Sequence, residues 1–204
     1  LFSDPKPLIT APAPPYSMVT MDLRGTLLPE IITGSRSGEI EIFERTSGGY
    51  NVTQLDTGLY NIERMIIANF TGDSAQDIAG VSWNQMSNQA TVFGMQNQNG
   101  VLQYPKPHYS FNAFPYGISS GDLDSNDTND LVIADDNLLV QLMNDGNGSF
   151  ITSGGIPVCP GPVRDVAVDE LTQDSSPDAI AACENGDIML INGTLNGLSS
   201  KAIK

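Results

Sequence analysis

The sequence predicts an all-β chain made of four similar units, each with four short antiparallel strands. Apolar runs of four to six residues alternate along the chain with turn sequences rich in Gly, Asn and Asp. Runs this short are typical of strands, because surface helices need longer amphipathic stretches. The chain also contains 20 Gly and 13 Pro residues, a composition that favours many turns.

Two independent markers show that the units repeat with one register. A polar residue precedes an acidic segment in each unit, at Asp22, Asn69, Asp122 and Asp169, with separations of 47, 53 and 47 residues. An acid closes each segment, at Glu30, Asp77, Asp130 and Asp178, with separations of 47, 53 and 48 residues. Four strands in each repeat of this length are the signature of a β-propeller blade. A row of independent hairpin domains is disfavoured, because one blade cannot bury both of its faces alone.

The repeat divides the chain into a short N-terminal segment and four blades. Residues 16–204 form the blades, with approximate limits 16–60, 61–115, 116–161 and 162–204. The pattern predicts outer strands beginning near Leu102 in blade two and near Leu198 in blade four. Residues 1–15 align with the end of blade three, which predicts a spare outer strand followed by a proline-rich linker. Three explanations stay open: a piece of a longer propeller, a strand that pairs with a neighbouring molecule, or a frayed terminus.

The charge balance argues against a nucleic-acid partner. Nine Lys and Arg residues face 24 Asp and Glu residues, which gives a net charge of −15. Such a surface repels phosphate backbones and suits cations, although acidity also keeps an extracellular protein soluble. The sequence contains no apolar run long enough to span a membrane.

Two features predict a secreted glycoprotein. Five Asn-x-Ser/Thr sequons occur, at Asn51, Asn69, Asn126, Asn147 and Asn192. Cys159 and Cys183 are the two cysteines, and they pair as a disulfide if the compartment is oxidising or stay as buried thiols otherwise. We expect Asn51, Asn147 and Asn192 to be the better glycan acceptors, because Asn69 and Asn126 lie in the acidic segments.

The acidic segment of blade three predicts a calcium site. Asp122, Asp124 and Asn126 place oxygen atoms at alternate positions 1, 3 and 5, and Asp130 follows at position 9. Ca²⁺ prefers six to eight oxygen ligands, which alternate side chains on a tight loop can supply. The Thr128 carbonyl is a further candidate ligand. An Asx-rich turn without metal is the alternative, but three converging carboxylates would then repel one another.

This segment, read D-x-D-x-N-x-x-x-D-L-V after Phe114-Pro115-Tyr116-Gly117, resembles the FG-GAP or VCBS repeats of integrin α-subunit propellers. Fungal lectins of similar architecture share the repeat. The resemblance covers all four units, with the best match in blade three. It implies a propeller whose loops hold Ca²⁺ structurally and whose face or inter-blade clefts bind a partner.

The other three segments depart from that pattern. Blade two offers Asn69, Thr71, Asp73 and Asp77, which predicts a weaker second site. Blade one has Arg24 at position 3, so we expect an internal salt bridge in place of the metal. Blade four is one residue longer and has Leu171 at position 3, which makes a calcium site doubtful.

No catalytic constellation is evident. His108, the single histidine, lies in a proline-rich stretch without an identifiable partner, and no hydrolase or zinc-protease motif occurs. We therefore predict a non-enzymatic, extracellular propeller for adhesion or assembly, with Ca²⁺ as its cofactor. The alternative is a lectin that binds an extracellular glycan, for which Trp83 and Tyr116 are candidate sugar-stacking residues.

Overall fold

The computed structural model describes residues 7–199 and contains strands without helices in that range. The first sheet, blade one, contains β1 (Pro15–Met21), β2 (Glu30–Ser35), β3 (Glu39–Thr46) and β4 (Gly49–Asp56), paired in that order. Blade two contains β5 (Asn61–Ala68), β6 (Asp77–Asn84), β7 (Gln89–Met95), β8 (Asn97–Gln98), β9 (Val101–Leu102) and β10 (Lys106–Phe111). Across residues 7–199 there is no apolar helix of membrane-spanning length.

The third and fourth blades repeat the same antiparallel order. Blade three contains β11 (Ile118–Gly121), β12 (Asp130–Asp135), β13 (Leu138–Asn144) and β14 (Phe150–Pro157). Blade four contains β15 (Val163–Asp169), β16 (Asp178–Cys183) and β17 (Ile188–Ile191), followed by β18 (Gly193–Thr194) and β19 (Gly197–Leu198). The predicted all-β array of propeller-type blades is confirmed.

The outer strands of blades two and four differ from the predicted ones. In blade two, Leu102 belongs to a small hairpin in which β8 pairs with β9, and β10 pairs with β7 as the outer strand. The reason is the Asn99-Gly100 pair, whose φ angles of 55° and 84° reverse the chain tightly. In blade four, β19 pairs with β18, so Leu198 does not extend the sheet.

Blade four therefore has three strands within the described part of the chain, and β17 has no outer partner there. Most of the predicted outer strand, Leu198 to Ile203, lies outside the described residues, as do residues 1–6 of the predicted N-terminal strand. Residues 7–14 form no strand.

The hydrophobic core lies between the blades, in three clusters. Each cluster draws buried side chains from two consecutive blades, as expected when stacked sheets bury facing surfaces. Between blades three and four, for example, Val132 and Leu139 pack with Val166 and Met189. Among residues 7–199, no cluster joins blade four to blade one. The four blades of this range therefore form an open arc.

The open arc leaves one sheet face of blade four without a neighbour. In this sheet, Val166, Ala179 and Met189 face blade three. The alternate residues point the other way, and we call them the blade-four outer face: Asp165, Ala167, Ile180, Ala182, Ile188 and Leu190. Ile188 is 71% exposed, whereas Val132 at the equivalent surface of blade three is fully buried by blade four.

Candidate functional site

The acidic segment of blade three, loop three (residues 122–129), is a tight turn held by its first residue. The Asp122 carboxylate accepts the N–H groups of Asn126 at 2.9 Å and Asp127 at 3.0 Å. Ser125 and Asp127 have φ angles of 60° and 66°, in the left-handed region. The loop joins β11 to β12 and lies at the opposite end of blade three from the turn between β12 and β13.

Asp130 closes loop three from inside the protein. Its side chain is fully buried. One carboxylate oxygen accepts the N–H of Leu123 at 2.8 Å, and the other accepts the N–H of Asn144 at 2.7 Å. The same residue therefore fixes the start of the loop and the end of β13. We call a loop-closing acid in this arrangement a bracket.

Asp122, Asp124 and Asp130 converge beside this bracket. One oxygen from each lies within 4.8 Å of the others, and no other acid, His or Cys group of this kind occurs in residues 7–199. The Oδ1 atom of Asp124 is buried without a hydrogen-bond partner. Burial raises the pKa of Asp130 from 3.8 to about 6, with smaller contributions from Asp124 and Asp122, and the two backbone N–H groups oppose the increase.

Of the two remaining predicted ligands of loop three, the Asn126 side chain is engaged within the protein. The amide oxygen of Asn126 accepts the N–H of Thr128 at 2.9 Å, and its nitrogen donates to the carbonyl of Asn144 at 3.2 Å. Thr128 is buried. The structure thus brings together three of the five predicted ligands, and it shows the Asn126 oxygen bonded inside the loop.

The predicted second site in blade two has a different arrangement. Asp77 is a bracket, accepting the N–H groups of Phe70 at 2.9 Å and Asn97 at 2.8 Å. Asn69 accepts the N–H of Thr71 at 3.2 Å. The carboxylate of Asp73 accepts the N–H of Ala75 at 2.8 Å. The Thr71 hydroxyl also donates to Asp77 at 3.1 Å, so Asn69, Thr71 and Asp77 are linked by hydrogen bonds, and the segment holds two acids rather than a converging trio.

Loop four (residues 170–177) has a bracket on which no other carboxylates of residues 7–199 converge. Asp178 accepts N–H groups from Gly193 at 2.7 Å, Leu171 at 3.0 Å and Thr172 at 2.9 Å. Burial would raise its pKa, but these hydrogen bonds outweigh burial, and the pKa of Asp178 lies below its ordinary value. The opposite shifts reflect burial, which dominates at Asp130, and hydrogen bonds, which dominate at Asp178.

Two buried asparagines join the loop faces of blades two and three to the blade before each. The Asn97 side chain donates to the Leu23 carbonyl of blade one at 3.0 Å. The Asn144 side chain donates to the Phe70 carbonyl of blade two at 2.9 Å. Sequence reasoning missed both residues. Their signal is an Asn within two residues of the apolar run of the third strand, at Met95-Gln96-Asn97 in blade two and Leu142-Met143-Asn144 in blade three.

The cysteines form a disulfide, Cys159–Cys183, with a Cα–Cα distance of 5.6 Å. It connects the segment after β14 to the end of β16, across the boundary between blades three and four. Three of the sequons, Asn51, Asn126 and Asn147, are exposed. Asn192 differs from them, because its side-chain oxygen is buried without a partner.

The structure also separates the remaining aromatic and titratable candidates. Trp83 is buried, with 8% of its surface exposed, and packs edge-on against Phe114. Tyr116 lines an open cleft of about 580 Å³ at the end of blade three opposite loop three. His108 contacts Phe150, and burial, followed by the charge of Lys106, lowers its pKa. Trp83 is therefore a core residue, and Tyr116 is the one of the two that a ligand can reach.

Comparison with solved structures identifies the architecture. No protein-family model matches the chain, and no curated protein sequence matches it. A lectin from Agrocybe aegerita, described as recognising non-reducing terminal N-acetylglucosamine, matches with a TM-score of 0.63 and 18% identity. The match covers 92% of this chain and 51% of the lectin.

Two structures of BBS1N in complex with ARL6DN also match. The lead-soaked complex has a TM-score of 0.59, 16% identity, and coverage of 100% of this chain and 60% of BBS1N. The mercury-soaked complex has a TM-score of 0.56 and 13% identity, with coverage of 89% and 51%. At these identities the likeness shows the fold, which is that of a β-propeller. The chain spans about half the length of the propeller proteins that it matches.

Proposed function

We propose that the chain is a non-enzymatic, calcium-stabilised part of a secreted glycoprotein propeller that acts in adhesion or assembly. The observation that carries the calcium assignment is the buried, unpartnered Oδ1 of Asp124 beside Asp122 and Asp130. A hard cation with oxygen ligands would satisfy that atom and offset the repulsion among the three carboxylates. The resemblance of loop three to FG-GAP repeats supports the same ion.

Calorimetric titration of the metal-stripped protein with CaCl₂ tests this assignment. We expect one site, and we expect Asp124→Asn to weaken calcium binding on the order of 100-fold, because one of three charged ligands is lost. Asp174→Asn, an exposed acid of loop four, is the matched control and should bind like the wild type. Equal affinities for Asp124→Asn and the wild type would reject loop three as the site.

The blade-four outer face and the β17 edge support the assembly function. Within residues 7–199 the β17 edge is unpaired, and such an edge offers backbone groups to another chain. The blade-four outer face beside it is mostly apolar, and no further blade covers it there, whereas the next blade covers the equivalent face of each preceding blade. The occupant we propose is a second copy of this chain, whose residues 1–10 add a strand along β17. The same kind of inter-blade packing already holds blades one to four together.

Native mass spectrometry of three variants tests the assembly function. We expect the wild type to associate, and both deletion of residues 1–10 and Ile188→Glu to give monomers. The deletion stops before Ala13, because its N–H donates to the buried Glu41 carboxylate at 2.8 Å. Ile151→Glu is the control, since Ile151 is 70% exposed but lies on β14 of blade three, away from the β17 edge of blade four. Association that survives both changes would exclude this mode of assembly.

Secretion and glycosylation rest on the sequons and the disulfide. We expect glycans at Asn51 and Asn147, whose side chains are exposed. Little occupancy is expected at Asn126, whose amide nitrogen already donates to Asn144. A glycopeptide map of the natively expressed protein measures all five sites. Full occupancy at Asn126 would count against its place in a calcium loop.

The alternative function is carbohydrate binding. The fold likeness to a lectin and the accessible Tyr116 ring favour it, because aromatic rings stack on the apolar faces of sugars. A glycan array probed with the calcium-loaded protein tests it. If no glycan on the array binds the protein, adhesion through protein contacts stays as the proposed function.

A further inference from the structure

The cleft beside Tyr116 combines aromatic rings with carboxylates. Its walls include Phe114, Tyr116 and Pro162, and its polar lining includes Asp135, Asp136 and Asn137. The lining contains no Lys or Arg side chain. Open clefts of several hundred Å³ with apolar walls and a few convergent polar groups are the usual form of a binding site.

The acidic side of the cleft is held rigidly. The Tyr109 hydroxyl donates to Asp135 at 3.0 Å. Asp136 has a φ of 51°, and its carbonyl accepts the N–H of Val163 at 2.6 Å. The Asn137 carbonyl accepts the N–H of Val158 at 3.1 Å. The turn between β12 and β13 is thus tied to the segment that leads into blade four, and the Asp135 carboxylate is held in place before any ligand arrives.

The aromatic side is fixed as well, and it already contacts one cation. The Phe114 and Tyr116 ring centroids are 4.9 Å apart with planes tilted by 56°. The edge contact with buried Trp83 holds Phe114 from behind. The Arg164 guanidinium lies 4.2 Å from the centre of the Tyr116 ring, and the Glu184 carboxylate pairs with that guanidinium.

We propose that this cleft binds an arginine or lysine side chain of a protein partner. Aromatic faces attract cations through their quadrupole, and a cation between two carboxylates gains more than a neutral group does. Asp135 and Asp136 repel each other, and burial together with this repulsion raises the pKa of Asp135. An incoming guanidinium would relieve that repulsion, whereas a sugar would leave both charges in place.

Titration with a blocked Gly-Arg-Gly peptide, followed by NMR chemical shifts at low salt, tests the proposal. Excess calcium is present throughout, so that the carboxylates of loop three do not compete for the peptide. We expect shifts at the cleft residues, weakening with added NaCl, and no binding of the matched Gly-Gln-Gly peptide.

The variant pair is designed to keep the fold. The double change Asp135→Asn with Asp136→Asn removes both charges, leaves an acceptor for Tyr109, and keeps a residue type that tolerates the positive φ. We expect it to weaken Gly-Arg-Gly binding by about tenfold, since two charge-assisted hydrogen bonds are lost. Asp56→Asn with Asp174→Asn changes two exposed acids elsewhere and should bind like the wild type.

Three outcomes would overturn the proposal. The first is no binding of the arginine peptide, and the second is equal binding by the cleft variant and the wild type. The third is binding of N-acetylglucosamine in the cleft without binding of the peptide, which would favour the carbohydrate function instead. None of these outcomes bears on calcium binding or on assembly through blade four, so each proposal can fail separately.

Discussion

Loop one (residues 22–29) and loop three have the same backbone path and opposite charge at one position. In each loop the opening aspartate accepts the N–H groups four and five residues further on, at 2.8 Å in loop one and at 2.9 and 3.0 Å in loop three. Both loops have two left-handed residues at the same places, Gly25 and Leu27 in one and Ser125 and Asp127 in the other. The path is therefore available to sequences with and without a calcium pattern.

The difference lies at the third position. Loop three has Asp124 there, with a buried oxygen that no protein group satisfies. Loop one has Arg24, whose guanidinium pairs with Glu44 of β3. The salt bridge expected from the sequence is present, but its partner is Glu44 rather than an acid of the loop. This contrast shows that turn hydrogen bonds and the loop-closing acid shape both loops, while the third position holds an unsatisfied carboxylate in loop three and a paired arginine in loop one.

The largest expected effect concerns the loop-closing acid, which in both loops accepts an N–H near the start of the loop: Glu30 from Leu23 at 2.9 Å and Asp130 from Leu123 at 2.8 Å. Loop four has this bracket without an acidic trio, so it isolates the contribution. We expect Asp178→Ala to lower the free energy of unfolding by about 4 kcal/mol, because the N–H groups of Gly193, Leu171 and Thr172 lose a buried acceptor. Urea unfolding measures it. Asp174→Ala, an exposed acid in the same loop, should cost less than about 1 kcal/mol.

The brackets were only partly predictable from the sequence. Their spacing identified the four acids, but the calcium pattern suggested that Asp130 acts as a ligand alone. That its two oxygens also fix Leu123 and Asn144 depends on where β13 ends. Position in a three-dimensional sheet, and not a local motif, determines that contact.

The next effect is smaller: loop three should make the free energy of unfolding depend on pH, and the other loops should not do so in the same way. Without metal, the pKa of Asp130 is about 6 in the folded protein against an ordinary value of 3.8. Because the folded loop holds this proton more tightly than the unfolded chain, stability falls as pH rises from about 4 to about 6. The loss for this one group is about 3 kcal/mol at most.

The measurement is urea unfolding at several pH values, with and without calcium, for the wild type and Asp130→Asn. Subtracting the variant removes the contribution of the other acids. The difference should depend on pH in chelator and much less in excess calcium, because the cation stabilises the charged form. A difference that does not change with pH would show that burial in the folded loop does not raise the pKa of Asp130.

The fold was more predictable than the blade edges. Register markers spaced about 50 residues apart reveal the four-unit repeat, since each unit needs the same inner and second strands to bury its neighbours. The outer strands lie at the surface and carry weaker patterns. In blade two, the Asn99-Gly100 turn diverts Leu102 into a hairpin, and the outer strand follows in the proline-containing segment from Lys106. An Asn-Gly pair is the local signal that could have indicated the hairpin.

The smallest expected effect tests the loop-one salt bridge. The side chains of Arg24 and Glu44 are each 37% exposed, and pairs at this exposure contribute little because solvent screens them. We therefore expect Arg24→Met to lower the free energy of unfolding by less than about 1 kcal/mol.

Arg24→Asp recreates the loop-three residue, and we expect it to gain some affinity for calcium beside Asp22 and Glu30. Calorimetry on both variants distinguishes the two roles. If Arg24→Met costs several kcal/mol, the arginine is structural and the analogy between the third positions fails. If Arg24→Asp binds no calcium although it is folded, then loop three owes its site to more than its third residue.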